Sequence, residues 1–311
     1  MQIFVPVFLL HFLLLFRKMQ ATLIVINGPT AVGKTKLAID LARALNTEII
    51  STDSRQFYQE MNIGTAKPNE EELAQVKHHF ISNCSIHDYY SAGDFERESL
   101  AKATELFGSG KDYVIAIGGS GLYIKALCEG LDEMPLANLA LRKELINHFE
   151  TSGINYLQTE LKKLNPEKFS TIDQKNPQRL MRAIELSIQG EVIQKPKSRP
   201  FRVLKIGLEL PREILYGRIN SRVNKMMEDG LLKEVKSLVQ FEELNALKTV
   251  GYKELFAHLR GELDLPKSVD LIKQHSRNYA KRQMTWFKAD SEIAWFSPEN
   301  QLSIFEFIRQ F

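Results

Sequence analysis

Eight consecutive residues, Gly28-Pro-Thr-Ala-Val-Gly-Lys34-Thr35, constrain what this chain can fold into more than any other segment. They fit GxxxxGK[ST] at every fixed position. They follow a compact β-branched run, Thr22 to Asn27 (TLIVIN), and precede the helical pattern of Lys36 to Leu45. Strand, glycine loop and helix is the context such a loop requires. The glycines let backbone N–H groups converge on phosphate oxygens, and the helix start adds a positive dipole end. Lys34 supplies a point charge, and Thr35 a hydroxyl for Mg²⁺ or a phosphate oxygen. The motif predicts that a polyphosphate binds here. It leaves open whether the phosphate is transferred, hydrolysed or expelled, because kinases, NTPases and other transferases share it.

Further buried-strand patterns occur at Glu48 to Ser51 (EIIS), Asp112 to Ile117 (DYVIAI) and Val203 to Leu210 (VLKIGLEL), separated by helical or loop-like sequence. They predict an α/β fold, a P-loop NTPase-like parallel sheet flanked by helices. Between Gly130 and about Pro200 no strand pattern occurs, and residues 139–164 and 177–189 read as amphipathic helices. The expected organisation is a first core segment at 19–130, an all-helical insertion at 131–200 and a second core segment at 201–311. The first eighteen residues stand apart. Ile3 to Phe16 is apolar but only 14 residues long, with Pro6 and His11 inside it; a membrane span needs about 20. Its positive charges, Arg17 and Lys18, follow the apolar run, the reverse of a secretion signal. The expected natural start is Met19.

With 44% hydrophobic and 25% charged residues, the composition excludes intrinsic disorder and a polytopic membrane protein. A net charge of +3 is too small to name a partner, so any nucleic-acid surface must be local. From Leu271 to Ala289 there is no Asp or Glu, while Lys273, Arg277, Lys281, Arg282 and Lys288 interleave with Tyr279, Trp286 and Phe287. That stretch is either an RNA-facing stripe or a helix whose aromatics are core and whose cations are solvated. Cys84 and Cys128 are too few for a disulfide scaffold or four-thiolate zinc site; they read as small core residues of a cytoplasmic protein. His78-His79 suggests a metal pair, but adjacent residues point apart on regular elements.

Asp53-Ser54-Arg55-Gln56 follows the EIIS strand, which puts Asp53 at the carboxyl end of a strand beside the phosphate loop. On position alone it is a general base, a helix N-cap or a Mg²⁺-holding carboxylate. The residues then resemble one family, the tRNA dimethylallyltransferases (tRNA isopentenyltransferases), in their bacterial form. GPTAVGKT, DSRQFY, GTAKP, YSAGDF and GGSGLYIKAL stand in that family's order and spacing. NPQRLMRAIEL at 176–186, RINSRVNKMMEDGLLKEV at 218–235, TVGYKEL at 249–255 and NYAKRQMTWF at 278–287 continue the match. Asn165-Pro166, where an Asp-Pro is common, and Glu191-Val192-Ile193, where a Pro is frequent, depart from the pattern.

The resemblance implies transfer of a dimethylallyl group from dimethylallyl diphosphate to N6 of the adenosine just 3′ of the anticodon, in tRNAs that read codons beginning with U. The diphosphate and its Mg²⁺ would lie on Gly28, Pro29, Thr30, Ala31, Val32, Gly33, Lys34 and Thr35, with Thr35 near the bridging oxygen. Arg218 or Arg222, one helical turn apart, would add a charge, Arg218 ranking first. Asp53 would accept the N6 proton. The tRNA contacts that the resemblance implies are Asp53, Ser54, Arg55, Gln56, Ser120 and Gln178, Arg179, Leu180, Met181 and Arg182. Arg179 and Arg182 fall at i and i+3, suiting either a phosphate or a merely solvated face. The target base must be extruded from the anticodon stem-loop. Expected partners are tRNA and dimethylallyl diphosphate, with no membrane partner and a monomeric chain. The competing readings are prenylation of free adenylate and a P-loop small-molecule kinase.

Overall fold

The computed structural model describes residues 21–132, 134–190 and 198–311. The apolar segment 1–18 and Glu191-Val192-Ile193 lie outside these residues. Six strands form one sheet: β1 (Thr22–Asn27), β2 (Ile49–Ser51), β3 (His78–His79), β4 (Tyr113–Ile117), β5 (Arg202–Leu208) and β6 (Ala294–Phe296). Their order is β3-β2-β4-β1-β5-β6 and every pairing is parallel. In β1, Leu23, Ile24, Val25 and Ile26 have no exposed surface. Leu23 and Val25 enter one core with Phe57, Phe95 and Leu127, while Ile24 and Ile26 enter a second with Leu37, Leu41 and Ile304. Burial on both faces explains the unbroken apolar run.

The four strands expected from the sequence are β1, β2, β4 and β5. The other two are edge strands of two and three half-buried residues, too short to carry a period-2 pattern. β5 has one feature absent from the other strands. Lys205 points into the β1 Leu23/Val25 face, only 6% exposed, and its ammonium meets Asp290 at 2.7 Å, Glu292 at 2.8 Å and Glu129 at 3.4 Å.

Helices α1 (Lys34–Ala44), α2 (Glu70–Gln75) and α3 (Ala92–Gly108) link the first four strands, and α4 (Gly121–Cys128) follows β4. Residues of two family-like blocks hold the scaffold. YSAGDF opens α3 with a reciprocal capping box between Ser91 and Asp94. In GTAKP, the Lys67 ammonium donates to the Tyr58 carbonyl at 2.8 Å, Asn62 Oδ1 at 2.9 Å and Ser82 Oγ at 2.8 Å. Both cysteines are free and buried.

Residues 130–198 form a compact unit of their own. It contains α5 (Leu139–Ser152), α6 (Ile154–Leu164), α7 (Pro166–Thr171) and α8 (Pro177–Gln189) around Leu145, Leu157, Leu161, Leu180 and Ile184. The single helix expected over 139–164 is two, broken at Gly153 with φ +72°. Asn165 accepts the Lys168 amide at 2.8 Å and Pro166 occupies the first turn of α7. Asn caps as well as Asp does, so the departure from Asp-Pro is conservative. Glu185, fully buried, accepts from Arg142 Nε and Nη2 at 2.7 Å and Arg182 Nη1 at 3.0 Å.

The chain returns through β5 to α9 (Arg212–Glu228), α10 (Leu231–Ser237), α11 (Tyr252–Leu259) and α12 (Leu265–Lys288), then β6 and α13 (Gln301–Gln310). No helix among the described residues is long and apolar enough to cross a membrane. Glu234 on α10 accepts the amides of Asn62, Ile63 and Gly64 at 3.1, 2.8 and 3.0 Å, and the Tyr252 hydroxyl at 2.7 Å. One carboxylate thus seats the turn that carries GTAKP. Glu234→Ala leaves three amides and a buried phenol without their acceptor, and should cost about 2–3 kcal/mol, measured by urea unfolding; a loss below ~0.5 kcal/mol would show that water replaces it.

Candidate active site

The strand order brings the carboxyl ends of β2, β4 and β1 side by side. The Asp53 loop, the Gly118-Gly119 turn and the phosphate loop therefore face one another, at the edge where open parallel sheets bind ligands. Between them lies a cavity of about 540 Å³. Gly28 has φ +141°, and a Cβ there would stand 2.7 Å from the Leu208 carbonyl oxygen. Only glycine can leave β1 against β5 in that way.

Gln283 on α12 clamps two of these loops. Its Oε1 accepts the Thr30 amide at 2.9 Å and its Nε2 donates to the Gly119 carbonyl at 2.9 Å. A Cβ on Gly119 would fall 2.1 Å from Gln283 Nε2, so the clamp requires glycine. Arg222 on α9 donates from Nη1 to Thr30 Oγ1 at 3.1 Å. Lys34 donates to the Gly28 and Pro29 carbonyls at 2.9 and 2.8 Å. Burial, reinforced by the Arg222 charge, lowers the Lys34 pKa to about 7. Burial also lowers that of Arg222, opposed by Asp53 and Glu72.

Asp53 Oδ1 accepts the Arg55 amide at 3.0 Å, closing a turn and capping no helix, and the residue lines the cavity. Its charge acts on both Lys34 and Arg222. Ser54 donates its amide to Ser120 Oγ at 3.1 Å, so these two expected RNA contacts are neighbours. Arg55 and Gln56 line the cavity as well: Arg55 Nη1 donates to the Asn245 and Ala246 carbonyls at 3.2 and 3.1 Å, and Gln56 Nε2 to the Thr65 and Ala66 carbonyls at 3.3 and 3.1 Å. Burial, aided by Asp53, pushes the Tyr279 phenol up to about 12. Ile219, Val223, Met226, Leu231, Val250 and Ile272 give the cavity an apolar lining beside its polar groups.

Several expectations need correction. Arg222, not Arg218, belongs to the cavity. Arg218 reaches the Val32 carbonyl at 3.4 Å and Glu299 at 4.0 Å from the far side of the phosphate loop, beside Gly33 and Lys36. Helical spacing cannot reveal which of the two arginines lines the cavity. Val32 is buried and offers only its backbone to a ligand. Leu180 and Met181, 0% and 7% exposed, are core of the helical unit and present no side chain to RNA. Arg182 is committed to Glu185 and to the Pro135 carbonyl at 2.8 Å, whereas Gln178 and Arg179 are exposed.

The basic stripe divides three ways: Phe287 is core, Tyr279 lines the cavity, and Trp286, 49% exposed, shares a surface recess with Lys281 and Arg282. His79 bonds Glu48 at 2.6 Å, while His78 bonds the Val76 carbonyl through Nδ1 and lines the cavity. The pair does not converge, and no cluster of three metal-binding side chains occurs among the described residues.

A family model described as IPP transferase matches residues 56–290. The chain belongs to the IPP transferase family. It is 49% identical over 297 residues to the tRNA dimethylallyltransferase of Christiangramia forsetii, covering 93% of this chain and 98% of that one. It is 45% identical over 294 residues to tRNA dimethylallyltransferase 1 of Bacteroides thetaiotaomicron, covering 93% and 95%. Among solved structures, the tRNA isopentenylpyrophosphate transferase of Bacillus halodurans matches with a TM-score of 0.70 at 34% identity, over 94% and 96% of the two chains. A eukaryotic dimethylallyltransferase described as acting on tRNA matches with a TM-score of 0.70 at 25% identity, over 88% and 73%.

Within this IPP transferase, Gln283 was legible only as one letter of NYAKRQMTWF; nothing in its spacing marked it as the residue holding the phosphate loop. An anion arriving beside Lys34 favours the ammonium, so binding of inorganic diphosphate above pH 7 should take up a proton, and affinity should fall by up to tenfold per unit as pH rises through that range. Titration calorimetry in buffers of different ionisation enthalpy reads the proton directly; equal heats in both at pH 8 would show Lys34 already charged.

Proposed function

We propose that this chain transfers a dimethylallyl group from dimethylallyl diphosphate to N6 of the adenosine just 3′ of the anticodon of a tRNA, in tRNAs reading codons that begin with U. One observation carries the reading: Lys34, Arg222 and the carboxylate of Asp53 line one cavity together with the apolar side chains of Ile219, Val223, Met226, Leu231, Val250 and Ile272. Two cations match a departing diphosphate, the carboxylate matches an amine that must lose a proton, and the apolar wall matches a five-carbon chain. As C1 of the prenyl group parts from the bridging oxygen, the electron pair leaves with the diphosphate. The N6 lone pair forms the new C–N bond and its proton passes to Asp53.

Lys34, Arg222 and the free amides of the phosphate loop stabilise the charge growing on the leaving group. Preorganised donors of this kind contribute roughly 10²–10³ each in rate. Thr30, held by Gln283 and Arg222 together, keeps the loop from rotating as that charge develops. Tyr279 and the apolar wall exclude water from the allylic carbon.

The oxygen donors around the loop, Thr35 Oγ1 with the carboxylates of Asp53 and Glu72 lining the same cavity, fit Mg²⁺, which prefers one or two carboxylates plus substrate phosphates. When bound it would neutralise part of the diphosphate charge. A tRNA acceptor is supported by the names of the relatives at 45–49% identity and by the recess of Lys281, Arg282 and Trp286, which offers cations and a stacking face outside the cavity. The cavity itself is made by the sheet-containing unit alone.

The deciding assay offers labelled dimethylallyl diphosphate and Mg²⁺ with an anticodon stem-loop carrying adenosine at the target position, the same loop with guanosine, and free AMP. Label on the adenosine loop alone is expected; label on AMP alone would move the chain to nucleotide prenylation, and label nowhere would overturn the reading. Asp53→Ala should lower kcat by ~10²–10⁴ while the KM for the stem-loop changes little. Arg222→Ala should lower kcat/KM for the prenyl diphosphate by ~10² or more, against less than ~5-fold for Arg218→Ala; the reverse order, read in the same steady-state kinetics, would return the charge to Arg218.

A further inference from the structure

The face that α9 presents to the cavity is not uniform. Ile219, Arg222, Val223 and Met226 all line it, at i, i+3, i+4 and i+7, so one stripe of the helix carries a single cation between apolar residues. Arg222 is fixed in place by Thr30. From Arg222 to Met226 the helix advances ~6 Å, a little over one turn, which is about the length of one isoprene unit. Val223 stands between them, 2% exposed. Behind that stretch, Leu231 and Ile272 are 0% and 2% exposed, packed in the same core, and cannot move aside. Met226 is only half-buried, packs against that core, and is the flexible, unbranched member of the wall.

We infer that this stripe measures the prenyl chain, with the diphosphate held at Arg222, the dimethylallyl group lying along Val223, and Met226 closing the far end so that a ten-carbon chain is excluded. The inference rests on the transfer reading above and deepens it by naming the residue that selects donor length. A dimethylallyl group seated this way carries its C1 at the cation end, next to Asp53 and the incoming amine. Its branched end meets only apolar side chains. A geranyl group would need the volume that Met226 fills.

The test compares wild type with Met226→Ala and Met226→Phe, using dimethylallyl and geranyl diphosphates on the adenosine stem-loop and inorganic diphosphate as inhibitor. Met226→Ala is expected to raise the geranyl-to-dimethylallyl ratio of kcat/KM by at least ~10-fold, the scale on which apolar pockets discriminate added methylenes. Met226→Phe, which shortens the space, is expected to raise the KM for dimethylallyl diphosphate by ~10-fold while the inhibition constant of inorganic diphosphate stays at the wild-type value. That last constant shows that the cation site is intact in each variant. An unchanged ratio in Met226→Ala together with an unchanged KM in Met226→Phe would overturn the inference. A raised KM for the stem-loop, with the donor ratio unmoved, would overturn it too and place the adenine against this wall. Wild type that transfers no dimethylallyl group to any acceptor would fail the transfer reading itself, a result recognisable because it appears before any substitution is made.

Discussion

The two hydrogen bonds of the Gln283 side chain hold the binding edge together. One buried amide joins the phosphate loop after β1 to the glycine turn after β4, using its acceptor on Thr30 and its donor on Gly119. Both partners are backbone groups, so the clamp sets loop spacing whatever their side chains. It also decides which amides are available. The Thr30 N–H is spent on Gln283, and those from Ala31 onward, at the head of α1, remain for an anion. The absence of a Cβ at Gly119 is the steric condition for this arrangement, and α12 is thereby tied to the sheet at the point where chemistry happens.

Lys34, Arg222, Asp53 and Glu72 set the electrostatics of the cavity. Lys34 and Arg222 are both half-buried and line the same cavity, and desolvation lowers the pKa of each. Asp53 and Glu72 offset part of this cost but neither closes a salt bridge with them among the described residues. A diphosphate removes the mismatch, because it brings the negative charge that two desolvated cations require. The Asp53 carboxylate itself accepts the Arg55 amide.

What the sequence revealed follows the range of the interactions involved. The phosphate loop and the Asp53 turn are local features, carried by consecutive residues next to strong strands, and both were legible. β3 and β6 were not, because two or three residues at a sheet edge are placed by their neighbours rather than by their own pattern. Arg218 and Arg222 look alike on a helical projection, and only their contacts, Val32 for the one and Thr30 for the other, separate them. In NPQRLMRAIEL the same block mixes exposed Gln178 and Arg179 with core Leu180 and Met181, since an amphipathic helix interleaves surface and interior positions. In GTAKP, Lys67 ties the scaffold together while Gly64, Thr65, Ala66 and Pro68 line the cavity, and the Ser91/Asp94 pair of YSAGDF caps α3. A recurring motif can mark a difficult turn as readily as a catalytic group.

The sheet's register has a consequence for how the molecule comes into being. Thr22 pairs with Tyr113 on one side and Arg202 on the other, so β1, the first strand made, lies between partners made much later. Pairings so distant in sequence are slow to form. Arg222 and Gln283, which shape the phosphate loop, arrive later still. During synthesis the GPTAVGKT segment therefore exists for most of the chain's growth as a glycine-rich stretch without its clamp, and the capacity to grip a diphosphate emerges late, as a property of the finished fold.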